Sequence, residues 1–421
     1  MTASGRVQTQ PATVGEHTPR PELAKLRNAA AVRERCGMVH RWVADGRSPH
    51  FLLDESRLDA VATYVADVTR EAYPDLRIPY HSRWRHFSIG GVDRWGALAA
   101  DLHPDPIERA RIAVDLATVS VLLDAGAGDA WRYNESGTFF SRSEGLAVAS
   151  IDMFRAGAFS SDARQPHRVD SIALAAIDVT TLAQHFQVDA GNPLVGLEGR
   201  SALLRRLGQA LAARPDLFGR APARPGNLVD YFRNIDNKRI AASAVLAALL
   251  DGLSTIWPSA LTLDGIPVGD AGRHPAVRAG DETDQIVPFH KLSQWLTYSL
   301  LEPLETAGLA VERLDELTAL AEYRNGGLLV DLGVIRPRVA IEPQVRHQVS
   351  SELIVEWRAL TVALMDRLVA PVRARLGLDR SFAMPHMLQG GTWAAGRKIA
   401  RELRPPEGPS PIPIAADGTV F

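Results

Sequence analysis

One cysteine, Cys36, stands in 421 residues, so no disulfide can close within the chain and no cysteine-based zinc cluster can be built. That scarcity fits a reducing compartment. An excess of charge is missing too. Lys and Arg number 47 against 49 Asp and Glu, a formal net charge of −2, which argues against a protein built to coat nucleic acid or an anionic membrane. Nowhere do about eighteen apolar residues run together, and the longest candidate, Ile240–Leu250, is too short to cross a bilayer. The first twenty residues are polar and lack an apolar stretch, so no secretory leader is expected and the expected location is cytoplasmic.

Most motifs that announce a cofactor are also missing. There is no Gly-x-x-x-x-Gly-Lys-Ser/Thr loop. Gly126 and Gly128 form a Gly-x-Gly, but the third glycine is lacking and the segment follows a helical pattern rather than a strand. No Gly-x-Ser-x-Gly elbow occurs. The twelve histidines contain no His-Glu-x-x-His and no helical i,i+4 pair. Neither a metal nor a cofactor is expected, and the expected partner is a small-molecule substrate.

What is present is ordinary globular material, 46% apolar and 23% charged. Helical periodicity dominates. It predicts helices over Pro21–Ala44, Glu55–Ala72, Pro106–Leu123, Ser143–Ala156, Ser171–Phe186, Leu197–Ala213, Lys238–Ile256, Pro288–Thr306, Leu314–Tyr323, Gly326–Leu332, Gln344–Leu376 and Met387–Leu403. Strand signals are confined to Val339–Ile341 and Thr262–Val268. The expected fold is mainly α, one large helical body. Along the chain it divides into a disordered arm (1–20), an N-terminal helical region (21–190), a C-terminal helical region (191–403) and a Pro-rich extended tail (404–421).

Acid–base chemistry is left as the chemistry the residues suggest. Carboxylates near cations and aromatics are Asp124, Asp129, Glu144, Asp270, Glu322 and Asp331. Glu322-Tyr323-Arg324 ends an apolar run, and Asn325-Gly326-Gly327 breaks it. A helix starting at those glycines would offer backbone N–H groups to an anion, although the same residues also make a plain helix corner. Lys291, between His290 and Gln294, falls in a first helical turn, where a cation opposes the helix dipole. It therefore needs a carboxylate or an anionic ligand. Asp270 is flanked by Gly269 and Gly272, which let backbone approach a ligand closely, but Asp is also common in turns. Arg142 and Glu144 open a helix. Trp131, Tyr133 and Trp84 could stack on a flat ring or a sugar, or fill a core. The loop PYHSRWRHF (79–87) concentrates two His, two Arg and three aromatics.

LLDAGAGDAWRYNE, FSRSEGLAVASIDMF, LVDYF, VPFHKLSQWLTYSLLEPLE and LTALAEYRNGGLLVDLGVI together resemble the DUF1688 family, the uracil-catabolism proteins of fungi and bacteria, over roughly residues 21–415. A second resemblance runs to the queuosine salvage proteins, N-glycosidases with a DNA-glycosylase-like helical core. Their Phe-Tyr-Lys-Arg-Ala-Gln looks like Phe289-His290-Lys291-Leu292-Ser293-Gln294. Their Ala-Asp-Tyr-Arg looks like Ala321-Glu322-Tyr323-Arg324. Their Pro-Leu-Leu-x-x-Arg is similar to Pro193–Arg200 with the arginine displaced. Their catalytic aspartate sits in a Phe-Arg-Asp motif that this chain lacks, and Asp270 is the nearest positional equivalent. By this likeness the 191–403 region would be glycosidase-like.

The two resemblances imply a reaction. The pathway linked to the family implies a pyrimidine opened while it is still joined to ribose, leaving a ribosylurea, expected as its 5′-phosphate, whose C1′–N bond must be cut to free urea. The implied catalytic residues are Asp270 on the sugar side and Glu322 at the leaving group. Lys291, Arg324 and Arg142 are implied for a phosphate, and Trp131 or Tyr323 for a ring or urea plane. His290, Gln294, Asp129 and Glu144 complete the expected substrate-binding set. The alternatives are a hydrolase or deaminase acting on the opened ring, and a non-catalytic protein that binds a pyrimidine metabolite.

Overall fold

Asp105 accepts a hydrogen bond from the Ile107 N–H at 3.0 Å, and Pro106 follows it as the first helical residue, so a helix begins there and runs Pro106–Leu122. From Ala110 to Leu122 nearly every residue of this helix is buried, on all sides. The Lys291–Thr306 helix is enclosed in the same way, from Leu292 to Leu301 without interruption. A helix apolar all round belongs at the centre of a fold, and these two pack against each other. Truncating one of their buried leucines to alanine costs about 2–5 kcal/mol.

The computed structural model describes residues 21–102, 104–235, 238–257 and 261–415. The expected disordered arm (1–20) and the last six residues of the expected tail fall outside the described residues. Within them the fold is mainly α, as expected, and its strands form two-stranded pairs. Around the central pair, the Glu352–Leu376 helix packs on Ala29–Ala44 and Leu58–Ala72, Leu197–Ala213 packs on Ser171–Ala176, and Tyr323–Asp331 packs on Trp393–Leu403. One apolar cluster runs from Ala29 to Ile412. The last of these contacts requires glycine: a Cβ on Gly396 would lie 2.3 Å from the Arg324 carbonyl oxygen.

Several expected elements shift for local reasons. Pro21–Ala44 is two helices, because Asn28 takes the Ala31 N–H and caps a new start at Ala29. Ser171–Phe186 divides likewise at Asp178, which takes the Thr181 N–H. Leu314–Tyr323 is a short 3-10 turn (Leu314–Glu316) followed by extended chain, because Gln294 and Tyr298 of the central helix hold Thr318. Gln344–Leu376 becomes helical only at Glu352, after His347–Gln348 pairs in parallel with Ile414–Ala415. Met387–Leu403 contains a π-helical turn, Leu388–Thr392, ahead of Trp393. Val339–Ile341 is not a strand; Ile335–Pro337 is, pairing with Phe51–Leu53. Thr262–Leu263 pairs with Ile266–Pro267 as expected. An unexpected hairpin, Ala271–Arg273 with Ile286–Pro288, brings Asp270 beside the start of the central helix.

Candidate functional site

Gly269, at φ +101°, turns the chain into this hairpin. Asp270 follows, with its carbonyl oxygen accepting the N–H groups of Phe289 and His290 at 2.9 and 3.1 Å. Its carboxylate is fixed on two sides. Oδ2 accepts the Lys291 N–H at 2.9 Å, and the Arg358 guanidinium donates to both oxygens at 2.8 Å. Arg358 comes from the interior of the Glu352–Leu376 helix and lies 4.1 Å over the Phe289 ring. Asp270 and Arg358 are both buried. Burial alone would raise the Asp270 pKa, but Arg358 and the Lys291 N–H outweigh it, so this carboxyl sits below its ordinary value and is ionised at neutral pH.

Lys291 is the first residue of the central helix, entered through a left-handed His290 at φ 48°. Burial pushes its ammonium pKa below the ordinary lysine value; Glu322, then Asp124 and Asp270, pull the other way. Sequence reasoning asked for a carboxylate or an anionic ligand at this first-turn cation, and these three carboxylates act on its charge. Glu322 caps the Tyr323–Asp331 helix, accepting the N–H groups of Arg324 at 2.7 Å and Asn325 at 2.6 Å. The helix thus starts before Gly326 and Gly327, and Glu322 itself fills the place expected for an anion. Burial raises the Glu322 pKa above its ordinary value against those two donors and against Lys291 and Arg324.

Asp124 acts on the same lysine from another segment, at the end of the Pro106–Leu122 helix. Ser143 Oγ donates to its Oδ2 at 2.7 Å, and Arg83 Nη1 lies 3.0 Å from its Oδ1. Burial would raise the Asp124 pKa, but Arg83 and its neighbours hold it below the ordinary value. Arg83 is fully buried and also donates to Ser120 Oγ at 2.6 Å. Its guanidinium stands 5.5 Å from the Trp295 ring centre. His81 and His86 flank that indole at 6.2 and 5.7 Å and reach Trp393 at 6.3 Å each. Burial depresses both imidazoles, to about 4 and about 3, so both are neutral at pH 7. Gln389, inside the π-helical turn, contacts His81 Nδ1 at 3.2 Å, and such turns recur at functional sites. At the rim, Arg397 lies 4.8 Å over Trp393 and pairs with Glu144 at 3.2 Å.

The expected residues therefore separate into groups. Asp270, Lys291 and Glu322 are brought together, and Glu144 stands at the edge. Tyr323 follows Glu322, with the Arg324 guanidinium 4.9 Å over its ring. Arg324 Nη1 donates to the Gly408 carbonyl at 2.8 Å, and Arg142 pairs with Glu407 at 3.5 Å, so two of the three residues expected for a phosphate are turned to the tail segment. His290 Nε2 contacts the Leu26 carbonyl at 3.0 Å. Gln294 is consumed by Thr318, which meets both ends of its amide. Trp131 lies in the core, stacked on Phe186 with its N–H donated to the Phe186 carbonyl, and Asp129 lies on an exposed loop. For Gln294 and Trp131 the structure assigns a packing place, since a large buried side chain with its polar atoms satisfied has nothing left to offer a substrate.

Sequence reasoning assigned no role to Arg83, His86, Trp295, Trp393 or Arg358. The 79–87 loop did carry a signal in its density of His, Arg and aromatics. Two hollows open on the surface elsewhere, of about 420 Å³ between Leu76 and His386 and about 500 Å³ beside Pro215–Ile235. Neither is lined by residues of the charged cluster. Among the described residues no three His, Cys, Asp or Glu side chains gather as metal ligands, and no helix is long and apolar enough to cross a membrane.

A profile of the family described as "Protein of unknown function (DUF1688)" matches residues 25–421. The chain is 40% identical over 411 residues to Protein urg3 of Schizosaccharomyces pombe, covering 95% of this chain and 99% of that protein. It is 38% identical over 437 residues to Uracil catabolism protein 4 of Lachancea kluyveri, again covering 95% and 99%.

Proposed function

Since the chain belongs to the DUF1688 family, we propose that it acts in uracil catabolism, as the name of its Lachancea kluyveri relative says of that protein, and that its reaction is hydrolysis of the ribose C1′–N bond of a ribosylurea or its 5′-phosphate. The observation that carries the reading is the convergence on Lys291 of two buried carboxyls, Asp270 holding its N–H and Glu322 acting on its charge, with one carboxyl depressed and one raised.

Cleaving a C–N glycosidic bond leaves positive charge on the anomeric carbon and ring oxygen. An ionised carboxylate held rigidly beneath that carbon stabilises the charge without rearranging during the reaction. Asp270 suits this because Arg358 and the Lys291 N–H fix both its oxygens. Urea leaves poorly as an anion, so its nitrogen needs a proton as the bond breaks. Glu322, whose pKa is raised, can carry that proton. The bonding pair goes to nitrogen, and Glu322 protonates it. Water then adds to C1′ and gives its own proton to a carboxylate of the cluster. The sum is ribosylurea plus water giving ribose and urea, with the protein's charge restored.

The test is incubation of the purified protein with ribosylurea and with its 5′-phosphate, each labelled at C1′, followed by carbon NMR. A hemiacetal C1′ signal together with free urea supports the reading. An intact C1′–N bond with release of ammonia or a carboxylic acid favours chemistry on the opened ring. Binding without turnover favours a sensor.

A further inference from the structure

Three buried polar atoms around the Trp295 indole make no hydrogen bond to any described residue: Arg83 Nη2, His86 Nδ1 and Trp295 Nε1. Their side chains are all more than nine-tenths buried. A buried polar group left unpartnered costs about 1–3 kcal/mol, and three around one ring call for a ligand. Two of them, the guanidinium and the indole N–H, can only donate, so the ligand presents an acceptor.

Charge narrows the class further. Arg83 is neutralised by Asp124, and His81 and His86 are uncharged, so the subsite carries no net charge. A phosphate dianion would need net positive charge here. A neutral carbonyl needs only donors. The rings of Trp295, Trp393, His81 and His86 surround the place with flat faces, and Trp393 alone of the four is half-exposed. From this juxtaposition we infer that Arg83, His86 and Trp295 form the subsite for a neutral, planar ureido or amide carbonyl, setting the specificity of the site for the uncharged nitrogenous end of its substrate. The inference rests on the reaction proposed above and identifies the residues that read its leaving group.

The test is direct binding of N-cyclopentylurea to the full chain by isothermal titration. Its carbocycle has no ring oxygen to support a cation, so it is bound without being cleaved. Inorganic phosphate is titrated in parallel. The urea is expected to bind the wild type. Trp295→Phe, which keeps a ring and removes the N–H, is expected to raise its Kd about 5–10-fold, the loss of one hydrogen bond. His86→Leu is expected to do the same, while His86→Asn, with a polar atom near the position of Nδ1, retains most of the affinity. No binding to the wild type overturns the inference, as does an unchanged Kd in folded Trp295→Phe and His86→Leu. It is also overturned if phosphate is the probe these variants weaken. If the variants respond as expected but ribosylurea is not cleaved, the subsite stands and the glycosidase reading falls. Cleavage without that response leaves the glycosidase reading and removes the subsite.

Discussion

Asp270 could serve only as the counter-ion of Arg358, and a double replacement separates that role from catalysis. Asp270→Asn alone is ambiguous. It leaves a buried guanidinium without its partner and sets an amide N–H₂ against an arginine donor or the Lys291 N–H. Breaking a buried pair on one side costs about 3–5 kcal/mol of stability, so inactivity could mean unfolding. Replacing both groups with apolar side chains of similar size is often neutral. Asp270→Leu with Arg358→Met should therefore lose only about 1–3 kcal/mol against wild type in urea, the cost of the Lys291 N–H left without its acceptor. Its activity should nevertheless collapse. A unit charge about 4 Å from a developing cation is worth about 4 kcal/mol at an effective dielectric constant of about 20, and half that figure still matters. At 1.36 kcal/mol per decade the expected fall in kcat lies between about 30- and 10³-fold. The assay is urea release from the ribosylurea substrate, beside equilibrium unfolding of the same preparation. A double variant that folds like wild type and keeps more than about a tenth of its rate would remove Asp270 from the mechanism.

The pH profile offers a second check. Asp270 must be ionised, and its folded pKa is depressed, so the acid limb of kcat should lie below the ordinary carboxylate range. Glu322 must be protonated, and its folded pKa is raised, so activity should fall as pH rises through that raised value. Glu322→Gln should abolish the alkaline limb, lower kcat about 10²-fold, and cost about 1 kcal/mol of stability through the weakened helix cap; an unchanged alkaline limb would assign it to another group. Arg324→Ala removes the hydrogen bond to the Gly408 carbonyl, so amide hydrogens of residues 408–415 should exchange faster while those of the Pro106–Leu122 helix do not. Away from the site, Asp115 is buried, pairs with Arg224 at 2.7 Å and accepts the N–H groups of Val169 and Gly226. Asp115→Ala should destabilise the fold by about 3–5 kcal/mol, read as a lower urea midpoint with the slope unchanged.

Legibility followed the range over which each determinant acts. Leu197–Ala213 was readable to the residue because its apolar stripe and its ends are local. Lys291 was readable as needing a carboxylate or an anionic ligand because the helix dipole is a local effect. Leu314–Tyr323 was not readable. Its apolar spacing suits a helix, yet Thr318, held by Gln294 from 24 residues away, keeps the chain extended there. The extended run is what leaves Glu322 free to cap the next helix. Arg358 was hidden for the same reason, since the carboxylate that explains it lies 88 residues earlier in the chain. Trp131 misled because a tryptophan beside glycines has the same appearance whether it lines a cleft or fills a core.

The distribution of charge in the cluster supports a chemical use over a packing one. Asp124 and Asp270, both ionised, and Glu322, which holds a proton in the proposed reaction, act on Arg83, Lys291 and Arg358; Asp270, Glu322, Arg83 and Arg358 are buried, and Asp124 and Lys291 are half-buried. Apolar side chains of similar volume often replace a buried ion pair without loss of stability, so packing alone does not account for six ionisable groups gathered here. What they bring is a split in proton affinity: burial wins at Glu322, while Arg358 and Arg83 win at Asp270 and Asp124. Carboxyls pushed in opposite directions around one lysine are the arrangement acid–base catalysis needs. The supports are rigid, being a hairpin end, two helix starts and the interior of a long helix. The cluster therefore keeps its geometry without help from a ligand, and each of its carboxyls can be tested while the other two stay in place.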